Sequence, residues 1–294
     1  MRVLVLGASG MLGSTLLDVF NHDNALEVFG TIRNPRSLRH FPESMHSRLL
    51  SNLDVLDLDR LAQTLSQVRP DVVINCVGLI KQLDEANDPL AVLPVNALFP
   101  HKLSRLCSLG NIRLIHISTD CVFSGAKGMY VESDASDCTD LYGKSKYLGE
   151  IKDQQHVVTL RTSIIGHELD SRVSLIDWFL SQGNKVRGFN KAIFSGLPTA
   201  ELASVIKDWV LPRPELSGLY HVAAAPINKY ELLKITASVY GKKCQIIADG
   251  TLEINRSLDA SRFHTATGYT APNWPALIQK MLMWRDFRNA IEVP

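Results

Sequence analysis

Short, unbroken apolar runs alternate along this chain with stretches whose apolar residues recur every three or four positions. The first kind suits strands buried on both faces, as in a parallel sheet; the second suits amphipathic helices. Runs at 3–6, 26–32, 71–78, 112–118 and 156–163 predict strands, and residues 52–57 resemble a short strand end. Between them, residues 14–20, 58–68, 86–109 and 142–155 predict helices, the third interrupted by Pro89, Pro94 and Pro100. Six β-units alternating with helices predict an α/β fold, a doubly wound parallel sheet of the Rossmann kind.

After Gly166 the pattern changes. Residues 173–181, 199–210, 228–240 and 275–285 predict helices, 243–247 a strand, and 183–196 a turn-rich stretch. Residues 219–223 have the composition to return to the sheet. The expected division is a dinucleotide-binding domain over residues 1–166, rejoined by chain from about 190–225, and a smaller α/β substrate-binding portion over 167–294. The substrate is expected between the two.

Composition narrows the class. With 46% hydrophobic and 21% charged residues, this is an ordinary globular chain. Net charge is 31 − 30 = +1, so no broad field draws it to nucleic acid or to an anionic membrane. No apolar run approaches the roughly 18 residues of a membrane span, and residues 3–6 are too few for the core of a signal peptide. Cys76, Cys107, Cys121, Cys138 and Cys244 are odd in number and include no C-x-x-C pair. That fits a reducing cytoplasm and neither a disulfide framework nor a zinc site. No cluster has metal-ligand spacing, so no metal is expected.

The candidate chemistry sits at the ends of the strands. Gly7-Ala8-Ser9-Gly10-Met11-Leu12-Gly13 follows the first strand at once and opens the first helix. Glycines there let the backbone approach a pyrophosphate, which rests on the positive end of the helix. An acidic residue for the adenosine ribose normally ends the second strand; here Thr31, Arg33 and Arg36 stand instead. A guanidinium in place of a carboxylate favours the 2′-phosphate of NADP, with NAD the alternative, unless Arg33 merely decorates a solvated loop. Asp54 and Val55 are placed to border the adenine, while Asp57 reads equally as a helix cap. Cys76, Val77 and Gly78 form a small-residue turn suited to pass under a cofactor. Asn96, polar among apolar neighbours, requires a buried partner.

Tyr142 and Lys146 stand four residues apart, one above the other on a helix face. An ammonium beside a phenol favours the phenolate and eases proton transfer to or from a carbonyl oxygen. Tyr-x-x-x-Lys alone is a common structural spacing. The glycine loop gives it weight, and so does Ser118-Thr119-Asp120 at the carboxyl end of a strand, the edge where open α/β sheets bind ligands. Residues 120–139 lack periodicity and read as a loop over the site.

With these residues in hand, the chain resembles an extended short-chain dehydrogenase/reductase, whose cofactor loop has the same Gly-x-x-Gly-x-x-Gly spacing. Within that family it is most similar to the dTDP-4-dehydrorhamnose reductase branch, the sugar-nucleotide 4-keto reductases. The matching stretches are 7–13, 118–125, 142–150, 160–166, 196–203 and 256–263. The resemblance implies an NADPH-dependent oxidoreductase that reduces the C4 ketone of a nucleotide-activated 6-deoxyhexulose, in deoxysugar or polysaccharide precursor biosynthesis. It implies that Thr119 hydrogen-bonds the substrate carbonyl and that Tyr142 donates the proton. Lys146 would bind the nicotinamide ribose and hold down the pKa of Tyr142. Asn96 matches the family's asparagine of the central helix, a structural or proton-relay position, and the 76–78 turn matches the one beside the cofactor ribose. Asp120 and Cys121 are substrate-side candidates, and Arg256 leads Arg187 as the partner of the nucleotide diphosphate. A homodimer is compatible with the family.

Two departures fall at the expected hexose pocket. Cys121 stands where the branch has a tyrosine, and Arg161-Thr162-Ser163-Ile164-Ile165-Gly166 lacks the branch's tryptophan and tyrosine. The proton-transfer residues are intact, so the sugar rather than the chemistry is left open. A dehydratase would carry Thr-Asp-Glu where Cys121 takes the third place. An epimerase or epimerase-reductase stays open, with Cys121 and a nearby histidine or lysine, Lys81 for instance, as acid/base groups. A non-catalytic module holding NADP as a structural or sensing ligand is the rival from another class.

Overall fold

A computed structural model of the chain describes residues 1–80, 87–170 and 173–291. Seven strands form its central sheet: β1 (Arg2–Leu6), β2 (Glu27–Thr31), β3 (Leu49–Leu50), β4 (Val72–Asn75), β5 (Arg113–Thr119), β6 (Val157–Thr162) and β7 (Gly218–His221). They lie in the order β7-β6-β5-β4-β1-β2-β3, and every adjacent pair is parallel. The strand order reverses between β1 and β4, and that switch point opens a crevice at the carboxyl edge.

Along β1, Val3 and Val5 face one core while Leu4 and Leu6 face the other. Helices Met11–Asn21 and Thr199–Val205 cover the first face; Leu58–Val68 and Phe99–Leu109 cover the second. Both faces are buried, which is why these strands read as continuous apolar runs.

Several boundaries differ from the sequence reading, each for a local reason. Residues 52–57 are not a strand end: the strand is Leu49–Leu50, and Asn52 turns away in the left-handed region at φ 61°. Asp57 is the cap of helix Leu58–Val68, its carboxylate accepting from the Arg60 amide at 3.0 Å. The prolines widen the long helix without ending it. Pro89–Leu93 continues through a π turn, Pro94–Leu98, into Phe99–Leu109, with the Phe99 amide donating to the Pro94 carbonyl.

The helix of Tyr142 spans Leu141–Leu148 and does not reach residue 155. A Cβ on Gly149 would lie 2.0 Å from the Asn96 carbonyl oxygen, so the chain meets a neighbouring backbone there. Glu150 then turns inward to a buried ion pair with Arg161. The turn-rich stretch at 183–196 holds two strands, Lys185–Phe189 and Ala192–Phe194, hidden in the sequence by their glycine and asparagine neighbours. Lys185–Phe189 pairs with Gln245–Asp249, and Ala192–Phe194 lies between Ile227–Asn228 and Ile254–Asn255. The expected return to the sheet is β7, beside β6.

Candidate active site

The chain leaves β1 at Leu6 and turns at Gly7, whose φ of +79° favours glycine. Gly10 caps helix Met11–Asn21 with no side chain bonded to the first turn, so the amides there can receive an anion. A Cβ on Gly13 would lie 2.2 Å from the Gly7 carbonyl oxygen, so loop and helix touch only because Gly13 has none. This cradle of bare backbone at a helix N-terminus fits a dinucleotide pyrophosphate.

A cleft of about 700 Å³ opens over the carboxyl ends of β1, β4, β5 and β6. Residues 9–13 and 76–80 line it. Residues 117–121, Tyr142 and Lys146 line it as well, with residues 192–194, Lys229, Ile254 and Arg256. Thr119 ends β5; its hydroxyl donates to Asp120 Oδ1 (3.2 Å) and accepts from the Cys121 amide (3.1 Å), folding the Asp120–Val122 turn. The Tyr142 helix begins at Asp140, whose carboxylate accepts from the Gly143 amide at 2.8 Å. A Cβ on Gly143 would fall 2.3 Å from the Cys121 carbonyl oxygen. That close approach seats the helix on the turn that follows Thr119.

Burial pushes the Tyr142 phenol up, Cys121 and the acids Asp120 and Asp140 push the same way, and the Thr119 hydroxyl opposes them. Burial lowers Lys146 to about 8, against the pull of Glu150 and Cys76. The Lys146 ammonium donates to the Ile117 carbonyl at 2.9 Å. The resemblance implied a lowered Tyr142 pKa; here burial and the neighbouring acidic groups raise it, with the Thr119 hydrogen bond opposing.

Asn96 has the buried partners it requires. Its Oδ1 accepts from the Leu79 amide (2.9 Å), and its Nδ2 donates to the Leu79 carbonyl (3.0 Å) and to Ser145 Oγ (3.2 Å). One side chain therefore ties the cofactor-side wall to the Tyr142 helix. Deeper, Glu150 joins Arg161 and the Ser118 hydroxyl and so fixes the end of β5.

Asp120 is buried, and burial raises its pKa against the opposing charge of Arg256. Arg256 donates from Nε to the Phe123 carbonyl (2.8 Å) and from Nη1 to Cys121 Sγ (3.7 Å). Lys229, the first residue of helix Lys229–Val239, faces the same group; burial lowers its pKa and Asp120 opposes. Nothing in the sequence singled out Lys229, which looks there like any first-turn lysine.

The remaining expected residues are elsewhere. Arg33 and Asp54 are exposed, Asp54 accepting from the Leu56 amide, while Val55 is buried in the core; none lines the cleft. Arg187 is 79% exposed and pairs with Asp249 at 3.4 Å, away from the cleft. Lys81 lies outside the described residues. Of residues 120–139 only Asp120 and Cys121 line the cleft; Val122, Phe123 and Tyr130 form a small core with Ala223 and Leu258, so the stretch is not a cover. Among the described residues no three acidic, histidine or cysteine side chains are grouped to hold a metal, and no helix is long and apolar enough to cross a membrane.

A doubly wound parallel sheet with this glycine cradle and a Thr–Tyr–Lys cleft defines an extended short-chain dehydrogenase/reductase-like protein. The chain belongs to the family described as the RmlD substrate binding domain, whose model matches residues 1–282. The probable low-salt glycan biosynthesis reductase Agl14 of Haloferax volcanii is 28% identical over 86% of this chain and 82% of its own. Methionine adenosyltransferase 2 subunit beta of Danio rerio is 32% identical over 81% of this chain and 74% of its own. The dTDP-4-dehydrorhamnose reductase of Bacillus anthracis, solved in complex with NADP, has a TM-score of 0.77 at 21% identity, covering 96% of this chain and 98% of that one. At that identity the likeness speaks to the fold, and it bears out the doubly wound sheet.

Proposed function

We propose that the protein is an NADPH-dependent reductase acting on the 4-keto group of a nucleotide-activated 6-deoxyhexulose, in deoxysugar or polysaccharide precursor synthesis in the cytoplasm. The observation that carries this is that Thr119, Tyr142 and Lys146 line one cleft with the Ser9–Gly13 loop. NADPH, when bound, supplies the hydride to the carbonyl carbon. Tyr142 gives its hydroxyl proton to the carbonyl oxygen, and Thr119 donates a hydrogen bond to that oxygen as its charge grows. A phenol held protonated by burial suits that donor role. Lys146 binds the nicotinamide ribose, the first-turn amides after Gly10 take the pyrophosphate, and Arg33 takes the 2′-phosphate. Arg256 reaches the substrate's diphosphate. Agl14, a reductase by name, supports the reaction class.

The test is oxidation of NADPH, followed by absorbance, with a panel of nucleotide 4-keto-6-deoxyhexoses. Turnover with one member, reduced about 10²–10⁴-fold in Tyr142→Phe at unchanged NADP affinity, supports the reading. Tight NADP binding with no turnover on any member would sink it.

A second reading has a specific observation behind it: the Danio rerio relative is named as a subunit of another enzyme. On that reading the chain binds NADP and assembles stoichiometrically with a catalytic partner without turning over a sugar nucleotide. Co-purification in fixed ratio, together with a silent panel, would favour it.

A further inference from the structure

Around Asp120 the cleft holds more positive charge than its described side chains neutralise. Lys229, Arg256 and Asp120 all line the cleft, and both cations act on the one carboxyl. Among the described residues the Lys229 ammonium has no hydrogen bond and no ion pair, although it lines the cleft and is half-buried. Arg256 uses Nε on the Phe123 carbonyl and Nη1 on Cys121 Sγ, and its second terminal nitrogen, Nη2, is bonded to no described residue. A half-buried ammonium without a partner is costly, and an oxyanion that satisfied it together with the spare guanidinium nitrogen would balance two cations against two anions.

We propose that Lys229 and Arg256 form one subsite for an oxyanion of the substrate, with Lys229 its principal ligand. This rests on the sugar-nucleotide reading above and adds to it a residue and a charge requirement. The site shares the cleft with the cofactor pyrophosphate cradle at residues 9–13 but is built from other residues. Its neighbours Asp120 and Cys121 follow Thr119 directly, so the anion is held close to the reacting end of the substrate. Two sources supply such a group. One is the diphosphate that links nucleotide to sugar. The other is a carboxylate on the hexose itself, in place of the apolar methyl of a 6-deoxy sugar.

The test is equilibrium binding to the NADP-loaded protein, by calorimetry, comparing wild type with Lys229→Met and Lys229→Arg. Probes are uridine, UDP, UDP-glucose and UDP-glucuronate, with the thymidine series beside them. If the diphosphate is the anion, Lys229→Met weakens UDP or dTDP about 10- to 100-fold, leaves the nucleoside unchanged, and Lys229→Arg restores part of the loss. If a carboxylate is the anion, Lys229→Met leaves UDP and UDP-glucose unchanged and erases a wild-type preference for UDP-glucuronate. Equal affinities of wild type and Lys229→Met for every probe overturn the proposal. NADP affinity and melting temperature serve as controls for folding, since Lys229 makes no bond whose loss would unfold the chain. A wild-type protein that binds NADP but no nucleotide of either series overturns the sugar-nucleotide reading and this subsite together. Nucleotide binding that is indifferent to Lys229 with every probe, UDP-glucuronate included, overturns the subsite alone.

Discussion

Glu150 and Arg161 form a two-pronged ion pair with no exposed side-chain surface on either partner. Nε donates to Oε1 at 2.6 Å and Nη2 to Oε2 at 2.7 Å. Ser118 Oγ adds a third hydrogen bond to the same carboxylate at 2.8 Å. With the Ser118 bond, the pair joins the end of β5 to the chain just past the Tyr142 helix, so it holds Thr119 and Tyr142 in register. Glu150→Ala strands the buried Arg161 charge and is expected to cost about 3–5 kcal/mol, whereas Arg161→Ala leaves Glu150 its pair with Lys152 at 3.1 Å and should cost less. Urea unfolding measures this.

The same pair sets an acid limit. The Glu150 carboxyl is held below its ordinary value of 4.5; burial pushes it up, but the Arg161 hydrogen bonds and charge prevail. Its stabilisation is therefore present above the unfolded value and lost as pH falls through the folded one. Melting temperature should drop below about pH 4.5 in wild type. The gap between wild type and Glu150→Gln should narrow over that range.

Lys146 runs the other way. Its folded value of about 8 lies below the ordinary 10.5 because burial penalises the cation. Between those values the unfolded chain binds the extra proton, so stability rises with pH across the window, and the full cost of about 3 kcal/mol stands at neutral pH. Lys146→Met should therefore be more stable than wild type at pH 7, by about 1–3 kcal/mol, while losing activity. The advantage should fade towards pH 10. Denaturant titrations at the two pH values decide it; a less stable variant at pH 7 would contradict the account.

Gly13→Ala should abolish NADP binding and cost roughly 1–3 kcal/mol or more, because the new methyl meets the Gly7 backbone at 2.2 Å. Gly183→Ala, with nothing within 4 Å, should be neutral in both measurements.

Arg33→Ala should lower the preference for NADPH over NADH about tenfold, read as the ratio of kcat/KM values, if the guanidinium serves the 2′-phosphate. An unchanged ratio would return Arg33 to the solvated loop in which it stands exposed.

The sheet was legible because its strands are buried on both faces, so apolar runs and strands coincide. The cradle was legible because close backbone approach leaves a glycine wherever it occurs, as at Gly7 and Gly13. Asn96 announced itself as a polar residue in an apolar helix, though not that its partner would be Leu79. Lys229 did not. Its position depends on how the strand pair Ile227–Asn228 and Ala192–Phe194 carries the start of its helix to Asp120, which is a matter of tertiary path. The upward shift of Tyr142 was hidden for a related reason: helix spacing suggests a lysine, whereas the burial and the acids Asp120 and Asp140 that raise the pKa depend on the tertiary path. The early end of the Tyr142 helix was hidden too, since Gly149 shows its purpose only once the Asn96 backbone is beside it.

That contact has a mechanical side. The Tyr142 helix rests backbone to backbone on the π turn at Asn96, and Asn96 grips Leu79 by both its amide and its carbonyl. Three segments distant in sequence thus behave as a single stiff bracket. Tyr142 cannot be displaced by heat or by a remote substitution without tilting the cleft wall at Leu79. The spacing of the two is then set by the bracket's rigidity, and any drift of one carries the other along with it.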